Sequence, residues 1–91
     1  MKGDAARSRR DLEAELRACA ADINWRVWNG AERVLNRKTR QYEMADVWKF
    51  YGGTGLVATR AGLLPSLRFV RTQAHKAFEA RKQKRLGAAF A

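Results

Sequence analysis

The side chains best placed to do chemistry in this chain are cations, and the chemistry open to them is anion binding. Of its 91 residues, 19 are Lys or Arg and 9 are Asp or Glu, a formal net charge of +10. The charge is split unevenly. Residues 1–46 hold 10 basic and 8 acidic side chains, whereas residues 47–91 hold 9 basic side chains and one acid, Glu79. A segment this cationic either meets an anion or repels itself in water. Arg68, Arg71, Lys76, Arg81, Lys82, Lys84 and Arg85 form the candidate anion-binding set. Lipid headgroups and nucleic-acid phosphates would both satisfy it.

Catalysis needs a converging set of reactive groups, and the sequence offers none. His75 and Cys19 are the sole residues of their types and lie far apart, so no metal-ligand spacing exists. Gly52-Gly53-Thr54-Gly55 lacks the Lys-Ser/Thr that completes a phosphate-binding loop. No catalytic, cofactor-binding or metal-binding residue is expected, and a small-molecule substrate is not expected either. The lone Cys19, between two alanines, reads as a buried small apolar residue and rules out an internal disulfide. That fits an intracellular setting.

Two further groups of residues point to interfaces. Trp25, Trp28, Trp48, Phe50 and Tyr51 are candidate anchors, because amphipathic rings favour protein contacts and the headgroup layer of membranes. Gly55, Ala58 and Gly62 are small residues at helical spacing that would let another helix approach closely.

The elements that would carry these residues read as all-α in a single unit over 1–91. Ser8-Arg9-Arg10-Asp11 has the shape of a helix start. Leu12, Leu16, Cys19, Ile23, Val27, Ala31, Val34 and Leu35 then recur at spacings of three and four, which predicts a long amphipathic helix over 9–38. Arg37-Lys38-Thr39-Arg40 reads as a polar turn or the end of that helix. Met44, Val47, Trp48 and Tyr51 predict a second helix over 42–51 within an aromatic, Gly-rich middle segment, 42–64. Pro65-Ser66 opens a basic helix over 66–86, and Gly87 starts a short tail, 87–91. The apolar stripe and three tryptophans exceed what one small core covers, so the expected shape is extended and partner-stabilised.

Trp48-Lys49-Phe50-Tyr51, the glycine-spaced segment and the cationic helix together resemble, over about 48–85, small accessory subunits of inner-membrane energy-converting complexes. That likeness implies a non-catalytic structural subunit packed against other protein subunits and anionic phospholipid, at the mitochondrial inner membrane or on its matrix side. Residues 50–70 are the most apolar stretch, but Arg60 and Arg68 interrupt them as a membrane span. The alternative is an RNA-binding protein of ribosomal type, with the same basic residues on phosphate. A second alternative is a small protein inhibitor that covers an acidic surface of its target.

Overall fold

The computed structural model describes Gly3 and residues 6–90, with side chains as far as Lys84. The order of elements is α1 (Arg9–Asp22), β1 (Arg26–Asn36), β2 (Gln41–Gly52), β3 (Gly55–Ala61) and α2 (Leu63–Phe90). The three strands form one antiparallel sheet in the order β1-β2-β3. The fold is therefore mixed α and β, and the all-α expectation is corrected.

The first helix begins where the Ser-x-x-Asp pattern places it. Ser8 is extended, and its Oγ accepts a hydrogen bond from the Asp11 N–H at 3.2 Å. The helix ends far short of residue 38. Asn24 takes a left-handed conformation (φ 59°), and the chain leaves as a strand. Trp25, Val27, Trp28 and Val34 are residue types that sit well on a pleated surface, and Gly30 would cost a helix about 1 kcal/mol relative to Ala. The spacing of Val27, Ala31 and Val34 matched a helix by coincidence. In the structure Val27 and Ala31 share one face of the sheet, and Val34 lies on the other.

The expected helix over 42–51 is strand β2, in which Trp48 and Phe50 alternate with Val47, Lys49 and Tyr51. Period two, carried by aromatic residues, prevails here over an accidental i, i+3, i+4, i+7 match. Gly55, Ala58 and Gly62 do not line a helix. Gly55 opens β3 at φ 118°, Ala58 pairs with Phe50 across the sheet, and Gly62 (φ 92°) turns the chain into α2. Like the start of α1, the basic C-terminal helix keeps the kind expected. It starts earlier, at Leu63, because Pro65 in its first turn has no intrahelical bond to lose. It also runs on through Gly87 to Phe90, where a tail was expected, and Ala91 lies outside the described residues.

Both helices cover one face of the sheet. Leu12, Leu16 and Ala20 of α1 meet Leu67 and Val70 of α2 over Trp48 and Phe50, all of them buried. Trp25 stacks on Phe69 at 5.9 Å, and both rings tilt against Phe50. Burying rings of this size contributes about 1.5–3 kcal/mol each. The helices are parallel: Glu15 bonds Arg71 near their starts, and Arg81 Nη2 donates to the Asp22 carbonyl near the end of α1. Their N-termini lie at one end of the sheet. Arg9 reaches Asp46 there, and the Gly62 N–H donates to the Asp46 carbonyl at 2.7 Å.

From that same end the β1–β2 hairpin continues alone. Strand β3 pairs with β2 no further than Val47, so the pairs from Ala31↔Asp46 to Asn36↔Gln41 form a two-stranded ribbon. At about 3.4 Å per residue this arm is about 17 Å long before its turn. The longest dimension of the molecule is 56 Å. The core encloses Trp48 and Phe50, so two of the rings expected at interfaces lie inside, while the shape is extended as expected, with principal dimensions of 56 × 36 × 22 Å.

Candidate nucleic-acid interface

The arm ends in Arg37-Lys38-Thr39-Arg40, a turn of four exposed residues between the last ribbon pair, Asn36 and Gln41. Asn36 builds the turn. Its carbonyl accepts from the Arg40 N–H at 2.7 Å, its Oδ1 accepts from the Lys38 N–H at 2.9 Å, and its Nδ2 donates to Glu43 at 3.2 Å. Arg40 is held left-handed (φ 58°), a conformation that costs a side-chain-bearing residue about 1–2 kcal/mol.

Four residues at the end of the arm share the sheet face that, further along, carries Trp48 and Phe50. They are Arg33 and Leu35 of β1 with Met44 and Tyr42 of β2. Beyond the helices nothing covers them: Tyr42 is 67% exposed and Met44 65%. This face of the arm holds no acid between Arg33 and its turn, whereas the opposite face holds Glu32 and Glu43.

Glu13, Glu15, Glu32 and Asp46 are engaged in ion pairs, and Glu43, on the opposite face of the arm, bonds Asn36. Glu15 accepts from Arg71 and, at 2.5 Å, from Arg7, and these bonds hold its carboxyl far down, at about 2. Burial pushes the Asp46 carboxyl up. Hydrogen bonds from Asn29, Arg9 and Trp48 outweigh it and leave Asp46 below the usual carboxylate value. Glu13 takes Arg9 at 2.8 Å, and Glu32 takes Lys49 at 2.7 Å, which raises the Lys49 ammonium. Among the described residues Arg33, Arg37, Lys38 and Arg40 enter no ion pair. The unneutralised charge therefore concentrates at the arm and along α2.

On α2, Arg68, Lys76, Arg81, Lys82 and Lys84 are exposed, with Arg81 tied to the end of α1. Arg71 is instead half-buried against Glu15 and braces the two helices. The Arg85 side chain lies outside the described residues. The aromatic anchors divide. Trp48 and Phe50 are fully buried, so neither is available to a membrane or a partner, and Trp25 is packed in their cluster. Trp28 is 42% exposed on the uncovered face of the sheet, beneath the Lys49 ammonium at 5.1 Å from its ring centre. Its ring lies so close over Gly30 that a Cβ there would sit 2.5 Å from it. Tyr51 is half-buried on the same face, opposite Arg26. Gly55, Ala58 and Gly62 serve the β2–β3 hairpin, the sheet and the entry to α2. Burial pushes the Cys19 thiol up, away from reactivity.

Sequence reasoning left Arg37–Arg40 as a polar turn or a helix end; the turn is what forms, and the antiparallel arm that it closes was missed. A basic four-residue turn flanked by β-branched and aromatic residues was the available signal. Among the described residues no helix is long and apolar enough to cross a membrane. Comparison with protein-family models, with curated proteins and with solved structures finds no match.

Proposed function

We propose that this protein binds nucleic acid through phosphate contacts from its β1–β2 arm and from the exposed side of α2, without catalysing a reaction. The observation that carries the reading is the position of the uncompensated charge. Arg33, Arg37, Lys38 and Arg40 project together on a ribbon that leaves the body of the fold, while the nearby acids Glu13, Glu15, Glu32 and Asp46 are held in internal pairs. Both helices also present their N-terminal, positive ends at the base of that arm, which favours an anion there. Arg40 keeps a long cationic side chain at a turn position better suited to glycine. Such a cost is tolerated where the side chain has a use.

The membrane-subunit reading loses two of its three supports, because Trp48 and Phe50 are inside and Gly55–Ala61 is a strand. Its remaining support, the cationic helix, serves nucleic acid equally well. The test is fluorescence anisotropy of a labelled mixed-sequence duplex, with vesicles of anionic phospholipid as competitor. The expected result is duplex binding that weakens steeply with salt and is not displaced by vesicles at equal phosphate concentration. Vesicle binding with no affinity for the duplex would overturn the proposal.

A further inference from the structure

Resting on that reading, we infer that the β1–β2 arm enters the major groove of B-form DNA, with its Arg33–Leu35–Tyr42–Met44 face toward the base edges. Size is the first argument. Paired strands lie about 4.8 Å apart, and with side chains the ribbon is about 10 Å across. The B-DNA major groove, about 12 Å wide and 8.5 Å deep, admits a two-stranded ribbon without distortion, whereas the minor groove, about 6 Å wide, takes one only where the DNA is bent or widened. The major groove of A-form RNA is too deep and narrow for side chains to read. An arm of about 17 Å is long enough to cross the groove and bring its turn to the phosphates beyond.

The chemistry of the face is the second argument. Leu35, Tyr42 and Met44 are large apolar side chains held in water on a cationic projection. The thymine methyl gives such groups an apolar partner in the major groove of DNA. The wide minor groove of RNA is lined by hydroxyls and gives them none. Arg33, on the same face, is of the type that pairs with the O6 and N7 of guanine. Arg37, Lys38 and Arg40 sit where the groove wall carries phosphates. The hydrogen bonds of Asn36 fix the turn before DNA arrives, so little ordering is required on binding.

Anisotropy titrations would compare DNA and RNA duplexes of matched mixed sequence, about two helical turns long. They would include the same DNA with every thymine replaced by uracil, and competition by an A·T minor-groove ligand such as netropsin. The unsubstituted protein should bind DNA about tenfold more tightly than RNA. It should lose about threefold on uracil DNA and resist the minor-groove ligand. Leu35→Ser with Met44→Ser, both at exposed positions, should abolish the response to uracil while leaving salt-dependent binding in place. RNA bound as tightly as DNA, displacement by netropsin or indifference of the unsubstituted protein to uracil would each overturn the groove assignment while leaving phosphate binding intact. Absence of binding to either duplex would overturn both proposals. The first three comparisons need no variant, so they stand even if the double substitution unfolds the chain.

Discussion

Substitution of Glu15 by Gln tests how the two helices are held together. The Glu15 carboxylate lies on α1, 29% exposed, and accepts from Arg71 of α2 and from Arg7. These contacts lower its titration from an ordinary 4.5 to about 2 in the folded protein. A carboxyl depressed on folding adds stability above its unfolded value and loses it as pH falls through the folded one. The full shift corresponds to an upper limit of about 3.4 kcal/mol. Solvent reaches the group, so screening reduces the contribution to about 1–2 kcal/mol at neutral pH. For a domain of this size that lowers the thermal midpoint by about 5–15 °C. Thermal and urea unfolding of both proteins would be followed from pH 7 to pH 3 by circular dichroism. The gap between them should stay constant down to about pH 5 and then shrink, with about two-fifths left at pH 3. A Glu15→Gln protein as stable as the parent at pH 7, or a gap that ignores pH below 5, would refute the reasoning.

Three other substitutions separate the parts of the account. Gly30→Val places a side chain where the Trp28 ring lies, so it should cost about 1–3 kcal/mol and shift tryptophan emission as the ring is displaced. Phe50→Ala empties the centre of the aromatic cluster and should cost about 3–5 kcal/mol in urea unfolding, enough to leave little folded protein. Arg40→Gly should act in opposite directions on the two properties. It should stabilise the protein by about 1 kcal/mol by relieving the left-handed arginine, and lower the salt dependence of duplex binding by about one phosphate contact.

The two ends of the chain were legible and the middle was not, for reasons that lie in particular residues. At α1 the cap, the acid in the first turn and the Leu12–Leu16 spacing all agree, so local preference and tertiary need coincide. At α2 the density of helix formers carries the element even across Pro65 and Gly87. Between them, Ile23, Val27, Ala31 and Val34 continue the phase of α1 in sequence although the chain has left the helix at Asn24. A left-handed asparagine is a small signal against an unbroken apolar stripe. In β2 the alternation of Trp48 and Phe50 competes with Met44, Val47 and Tyr51, which complete a helical face only if Lys49 and Phe50 are ignored. The interface followed the same division. The cations of α2 were visible as a charge run. The arm was invisible because its projection depends on where β3 stops pairing, a tertiary fact.

The central claim is that the arm's cations contact phosphate. The most direct measurement is the slope of log affinity against log salt for a DNA duplex, with the parent protein and with Arg37→Gln, Lys38→Gln and Arg40→Gly combined. The account predicts a slope shallower by about 3 in the variant, with no loss of thermal stability. An unchanged slope in a folded variant would contradict it.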